Sequence, residues 1–136
     1  VQNYTIQLTD VNESAISAIS DADNAADFVL ENSTIGTVVG VTALATDADG
    51  TDTVTYSLDT NAGGLFAIDS VTGVITVAGA IDRETAASYT ITIRATSSDS
   101  STITSTSTIT IGDVDEFDTT QVVDSSPTLN SVAENA

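Results

Sequence analysis

Apolar and polar residues change places at every second position along much of this chain. Tyr89, Ile91, Ile93 and Ala95 alternate with Thr90, Thr92 and Arg94, and Val54, Tyr56 and Leu58 alternate with Thr53, Thr55 and Ser57. A two-residue period places successive side chains on opposite faces of an extended backbone, so each run predicts a strand with one buried face. Further strands are predicted near 37–45, 74–77 and 101–111, with turn signals at Asp49-Gly50, Gly63-Gly64 and Thr72-Gly73 between them. No segment carries the roughly 3.6-residue apolar period of an amphipathic helix. About seven short strands in one domain-sized stretch predict an all-β, Greek-key β-sandwich with an Ig-like arrangement. Tyr4, Tyr56 and Tyr89 all fall on the expected core face.

A longer period underlies the short one. Displaced by 103 residues, Tyr4-Thr5-Ile6-Gln7-Leu8-Thr9-Asp10-Val11-Asn12-Glu13 falls on Ser107-Thr108-Ile109-Thr110-Ile111-Gly112-Asp113-Val114-Asp115-Glu116, and Glu31-Asn32 falls on Glu134-Asn135 without a gap. Self-similarity over such a distance marks a tandem array. Residues 1–13 are therefore expected to be the last strand and linker of a preceding repeat, 14–116 one complete repeat, and 117–136 the linker and start of the next.

Composition narrows the chemistry. The 136 residues carry 20 Asp and Glu against 2 Lys and Arg, a formal net charge of −18. Nucleic acid and anionic membrane surfaces are both bound through basic side chains, so neither is an expected partner. No apolar run approaches the roughly 20 residues of a membrane span, and no direct membrane insertion is expected. Apolar residues make up 40% of the chain, enough to build a core and so to argue against disorder. There is no Cys and no His. Disulfides, thiolate metal sites and the commonest general base are thereby excluded. Abundant Ser without His lacks the usual base of a serine nucleophile, and no carboxylate pair has a recognisable catalytic setting. The chain is not expected to be an enzyme.

The acids gather at Asp10–Glu13 and its copy Asp113–Glu116, at Asp47 and Asp49, and at Asp82 and Glu84, with Glu31 apart. Nearly all lie at predicted strand ends. Like charges held together repel unless a cation sits between them, and Arg83 is the one basic residue within these groups. A hard cation that accepts about six to eight oxygens, calcium, suits such a set, whereas freely solvated acidic loops are the plainer alternative. An EF-hand does not fit: in Asp47-Ala48-Asp49-Gly50-Thr51-Asp52 the Gly comes too early, and Leu58 stands where a bidentate Glu is needed.

Several motifs together resemble the cadherin repeats, in order and over the whole period. Leu30-Glu31-Asn32 followed by Gly36-Thr37-Val38-Val39 looks like the opening strand with its acidic ligand, and Ala45-Thr46-Asp47-Ala48-Asp49 like the Ala-Thr-Asp-x-Asp segment. Phe66-Ala67-Ile68-Asp69, Thr72-Gly73-Val74-Ile75 and Ile81-Asp82-Arg83-Glu84 continue the series, and Asp10-Val11-Asn12-Glu13 and Asp113-Val114-Asp115-Glu116 resemble the Asp-x-Asn-Asp linker. Ser131-Val132-Ala133-Glu134-Asn135 is similar to bacterial cadherin-like repeats in particular, those of large secreted adhesins such as the RTX type. In two places the chain departs from the family pattern: Ser97 stands where an Asp is common, and Glu replaces the second Asp of the linker.

The resemblance implies calcium between successive repeats. For the downstream junction it nominates Glu31, Asp82, Glu84 and Glu116, the backbone carbonyl of Val114, and Asp113 or Asp115. For the upstream junction it nominates Asp47, Asp49, Asn12 and Glu13. Arg83, between two nominated ligands in a strand-like segment, is expected to point away from them in a salt bridge or with a packed stem. The implied function is a calcium-rigidified extender repeat on a bacterial cell surface, supporting cell adhesion or biofilm attachment. Its partners would be calcium and the neighbouring repeats of the same chain. The alternative is a binding module for carbohydrate or for homophilic contact.

Overall fold

The computed structural model describes residues 1–9, 11 and 14–116. Its strands, in chain order, are β1 (Ser20–Asp21), β2 (Phe28–Leu30), β3 (Val38–Leu44), β4 (Val54–Thr60), β5 (Phe66–Ile68), β6 (Val74–Val77), β7 (Ser88–Ser97) and β8 (Thr102–Gly112). They form two four-stranded sheets, β1-β3-β6-β5 and β2-β8-β7-β4, facing each other as a Greek-key sandwich. The two strands announced by alternation and the three placed near 37–45, 74–77 and 101–111 are all present. The other three, β1, β2 and β5, span two or three residues each, too few to establish a period.

Alternation fills the core. Ile91, Ile93 and Ala95 of β7 and Ile109 and Ile111 of β8 face Val39, Val41 and Ala43 of β3, Ile75 and Val77 of β6 and Phe66 of β5, all buried. Phe66 meets Tyr89 edge to face, with ring centroids 6.1 Å apart, a favoured aromatic geometry. Tyr56 is buried and half-buried Tyr89 packs against the core, as expected, but Tyr4 is 81% exposed. Val1–Thr9 form no strand, so Tyr4 has no sheet to pack on among the described residues.

The first strand changes sheets. β1 pairs antiparallel with β3, the chain crosses over 22–27, and β2 then pairs parallel with the end of β8. The crossover runs directly over Gly40, where a Cβ would lie 2.1 Å from the Ala26 carbonyl oxygen. Gly40 also has φ +77 and sits at the irregularity between Val38 and Thr42 in the β3–β6 pairing. A side chain there would meet both a left-handed backbone and a neighbouring carbonyl.

The two ends of the sandwich differ in which strands they collect. At one end the chain enters, with the Ser17 N–H donating to the Thr46 carbonyl at 2.8 Å and the Ile16 N–H to Ser101 Oγ at 3.3 Å. That entry end gathers the close of β3, the start of β4 and the β7–β8 turn. At the exit end lie the close of β2, the 81–86 segment and the close of β8. Entry and exit at opposite ends is the geometry a linear array of such units needs.

Candidate metal centres

At the exit end, Glu31 follows β2 directly, and its N–H donates to the Gly112 carbonyl at 3.0 Å, extending the pairing with β8. Its side chain turns inward and the residue is only 2% exposed. The Val114 N–H donates to Oε1 and the Arg83 N–H to Oε2, each at 2.7 Å. One carboxylate thus ties the chain leaving β8 to the 81–86 segment. These two amides, Val114 first, with smaller help from Asp113 and Glu84, hold the Glu31 carboxyl below its ordinary value against the opposing effect of burial.

The 81–86 segment is a turn, not the extended run expected of it. Asp82 Oδ1 accepts the Glu84 N–H at 2.9 Å, Oδ2 accepts the Thr85 hydroxyl at 2.7 Å, and the Ala86 N–H donates to the Asp82 carbonyl at 3.3 Å. An Asp that bonds the backbone two residues on favours a turn over a strand. Arg83 therefore does not alternate away from its neighbours: its N–H belongs to the Glu31 clamp, and its side chain, in a half-buried residue, makes no salt bridge among the described residues.

This turn brings carboxylate oxygens of Glu31, Asp82 and Glu84 within 4.8 Å of one another. The Thr85 hydroxyl, then the Glu84 side chain, hold Asp82 below its ordinary value. Glu84 moves the other way. Its own N–H pulls it down, but the bond shared with Asp82, burial and the charges of Glu31 and Asp82 together push it up. Glu116 reaches the same end, accepting a hydrogen bond from the Asn32 side-chain amide. Asp113 lies close enough to Glu31 to affect its titration. The nearest donors are hard oxygens, with no nitrogen or sulfur ligand, which fits calcium. Val114 contributes its N–H to Glu31; nothing beyond the resemblance assigns a role to its carbonyl.

At the entry end a second group forms, with a membership the motifs did not give. Carboxylate oxygens of Asp47, Asp52 and Asp99 lie within 4.8 Å of one another. Asp49 is not in the group: its N–H donates to Asp47 Oδ1 at 3.1 Å, its Oδ1 accepts the Thr51 hydroxyl at 3.2 Å, and its carbonyl accepts the Asp52 N–H at 3.0 Å. That turn carries Asp52, rather than Asp49, toward Asp47. Asp52 Oδ1 accepts the Ser98 hydroxyl, and Asp99 Oδ1 accepts the Ser101 N–H at 2.6 Å. Ser101, through its hydroxyl and its amide, and more weakly Ser97 hold the Asp99 carboxyl below its ordinary value, with burial opposing. Asn12 and Glu13, the other nominated ligands of this end, lie outside the described residues.

The two basic residues leave both groups uncompensated. Arg94 is engaged in a bidentate pair with Asp59, Nε to Oδ1 at 2.8 Å and Nη2 to Oδ2 at 2.5 Å, on the outer face of β7. Arg83 stands at the exit end only.

A model of the Cadherin domain family matches residues 28–112. The chain is 41% identical over 95 residues to human Protocadherin Fat 4, covering 68% of this chain and 2% of that protein. It is also 41% identical over 96 residues to rat Cadherin-17, covering 69% and 11%. Among solved structures, mouse Cadherin-23 EC22-24 superposes with a TM-score of 0.63 at 27% identity, over 79% of this chain and 35% of that one. Mouse clustered PcdhgC3 EC1-3 gives 0.63 at 30% identity, over 77% and 35%. The chain thus spans a small part of the curated relatives it matches.

Proposed function

Because this chain belongs to the cadherin family, whose domains are extracellular adhesion modules rather than enzymes, we propose that it is a calcium-rigidified extender repeat of a surface adhesin. The observation that carries the reading is the exit-end group: Glu31, buried and clamped by two backbone amides, with Asp82 and Glu84 converging on it and no cationic side chain between them. In this reading Glu31, Asp82 and Glu84 hold the ion with Glu116, Asp113 and the Val114 carbonyl, and Asp47, Asp49, Asn12 and Glu13 serve the junction before. Residues 14–116 are one repeat, flanked by the end of its predecessor and the start of its successor.

Without a counter-ion the three carboxylates repel; against the pull of its own N–H, Glu84 is held above its ordinary value by the hydrogen bond shared with Asp82, then by burial, and last by the charges of Glu31 and Asp82. Bound calcium supplies the positive charge that neutralises them. The Glu31 clamp fastens the turn to the chain leaving β8, so holding the ligands fixed also holds the direction in which the chain departs. A succession of such units is a stiff rod that carries a distal binding domain away from the cell.

The parent is proposed to be a bacterial surface protein acting in cell adhesion or biofilm attachment, supported by the likeness of residues 131–135 to bacterial repeats. Homophilic contact is the second reading, favoured by exposed Phe28 and Leu30 on the edge strand β2. Carbohydrate stacking finds less support, since Tyr56 and Tyr89 pack into the core.

Thermal unfolding in chelator, in millimolar calcium and in millimolar magnesium tests the reading. A ligand that binds only the folded state at about 100 times its Kd adds about 2.7 kcal/mol. For a domain near this size that is a rise of roughly 10–20 °C. The rise is expected with calcium, not magnesium, and Glu84→Gln should remove most of it. An unchanged midpoint in calcium overturns the proposal.

A further inference from the structure

We propose that the open side of the sandwich, beside the crossover, receives an extended basic segment of a second protein, which adds along β8 and sets a Lys or Arg side chain into a cavity that this repeat keeps open. Calcium plays no part in it.

The cavity follows from two residues. Odd positions of β8 face the core, where Ile109 and Ile111 are buried, yet Ser105 and Ser107 stand on that same face. Two small polar side chains in a row of isoleucines leave a space of about 160 Å³ beside β1, floored by Ile19, Val41, Ala43 and Ile93. Asp21 and Asp27, at the two ends of the crossover, line it as well. Asp27 Oδ2 accepts the Ser107 hydroxyl and Asp21 Oδ1 accepts the Thr42 N–H, each at 2.9 Å, so both carboxylates are held in place. The volume is about that of a cavity able to take benzene and well below the roughly 300–1,000 Å³ of pockets for drug-sized molecules. It suits a single side chain.

The sequence period shows that the space belongs to this repeat. Displaced by 103 residues, Ser107 falls on Tyr4 and Asp27 on Asn130. The preceding copy of β8 thus carries a large aromatic where this one carries Ser, and the following copy lacks one of the two carboxylates. A spacer needs the sandwich in every copy and the cavity in none.

Beside the cavity β8 is bare. The Ile111 N–H donates to the Ala87 carbonyl next to β7, and the Thr110 N–H to the Asp27 carbonyl on the other side, each at 2.9 Å. The pairing with β7 keeps one register from Ser88 to Thr96, so every even position of β8 directs its N–H and C=O away from β7. β2 covers only Thr110–Gly112. Among the described residues, the backbone groups of Thr104 and Thr106 on that side have no backbone partner. An unpaired edge is a template for an added strand, whose alternate side chains enter pockets alongside. A residue seated opposite Ser105 or Ser107 would direct its side chain to their face of the sheet, into the cavity.

Charge selects the occupant. Asp21 and Asp27 line the cavity, Asp23 lies between them in sequence, and no basic residue lines the cavity or lies in the crossover. The complement is a cation at the rim on an apolar stem over the floor, as Lys and Arg provide. A second copy of this chain does not supply it. The chain has a net charge of −18 and no Lys, Arg94 is held by Asp59, and Arg83 sits in the exit-end turn with its N–H tied to Glu31.

A terminally blocked peptide, Thr-Val-Thr-Lys-Thr-Val-Thr, tests the site when titrated to millimolar concentration into the 15N-labelled full chain with calcium held constant. The same peptide with norleucine or Glu at its centre, and n-butylammonium chloride, are titrated beside it. Amide shifts are expected at Thr104, Thr106 and Ser107, with slowed hydrogen exchange at Thr104 and Thr106. Binding should weaken at least about tenfold for the norleucine peptide and for the Asp27→Asn variant, each of which removes one partner of the charge pair. Ser107→Tyr, which installs the residue of the preceding copy, should abolish it. Unchanged amide resonances of Ile91 and Ile111 check that both variants fold, and the norleucine peptide decides on the wild-type chain should either fail. No shift with the lysine peptide, or equal binding of all three peptides, overturns the proposal. Shifts with n-butylammonium but not with the peptide assign the cavity to a small organic cation, and protection of Thr104 and Thr106 by self-association without peptide assigns the edge to a second copy; either result overturns it too.

Discussion

Gly40→Ala is expected to destabilise the sandwich strongly, because the added methyl meets backbone. The added Cβ would stand 2.1 Å from the Ala26 carbonyl oxygen and 2.9 Å from its carbon, both backbone atoms of the crossover between the sheets. Neither can rotate away, so the 22–27 segment must lift off β3, and its other anchors, including the Ala22 N–H to the Thr42 carbonyl at 2.8 Å, lift with it. Two costs add. The left-handed backbone at φ +77 costs a residue with a side chain about 1–2 kcal/mol, and forcing the crossover outward costs about 1–3 kcal/mol more. The sum, about 2–5 kcal/mol, corresponds to a fall of roughly 10–30 °C in Tm for a domain of this size. Gly36 and Gly50 separate the terms. Gly36 has φ +95 but open space around its Cβ position, so Gly36→Ala carries strain alone, about 1–2 kcal/mol. Gly50 has open space and no positive φ, so Gly50→Ala should stay within about 0.5 kcal/mol. Chemical denaturation of the three variants in chelator gives the order directly. If Gly40→Ala loses no more stability than Gly36→Ala, the close crossover is refuted.

Two further outcomes follow from single hydrogen-bond sites. Tyr56 OH accepts the Ala45 N–H at 3.0 Å and donates to the Ala45 carbonyl at 3.3 Å, in a buried position two residues before Asp47. Tyr56→Phe leaves both backbone groups unpaired and should cost about 1–3 kcal/mol, read by urea denaturation; a neutral result would mean that water or a shifted backbone satisfies Ala45. Asp69 Oδ1 accepts the Thr72 N–H at 2.8 Å and the Val71 N–H at 2.9 Å, and these bonds, Thr72 first, hold its carboxyl below the ordinary 3.8. The unfolded chain then binds the proton more readily than the folded one, so this contribution is full above about pH 4 and is lost as pH falls through the lowered value. Asp69→Asn, which keeps an acceptor, should flatten that part of the acid limb of a stability–pH curve, and an unchanged limb would show that Asp69 does not contribute.

How far the sequence discloses the molecule depends on the length of each signal. β7 and β8, with ten and eleven residues, alternate long enough for the period to be unmistakable, and the core they form is the one the alternation implies. β1 and β2 are short because the chain changes sheets between them, and no two- or three-residue strand can display a period. At the exit end the motif around Asp82 and Glu84 names two acids that the fold does bring to Glu31, but not through the extended conformation expected: the Asp82 side chain bends the backbone into a turn, which delivers both acids there. At the entry end Asp49 was legible as half of an Asp-x-Asp pair, yet its own backbone bonds turn Asp52 inward instead. Asp99 lies in none of the motifs. It is the only acid between Glu84 and Asp113, in a β7–β8 turn otherwise built from Ser and Thr, and only the pairing of β7 with β8 and β4 shows that it meets Asp47 and Asp52.

The central claim is that calcium stiffens the passage from one repeat to the next, and small-angle X-ray scattering from two consecutive copies of the 103-residue period, in chelator and in millimolar calcium, tests it most directly. The account predicts a long, narrow distance distribution in calcium that broadens and shortens in chelator, with Glu84→Gln in the first copy showing the broadened form even when calcium is present. Scattering that is the same in both conditions would contradict it.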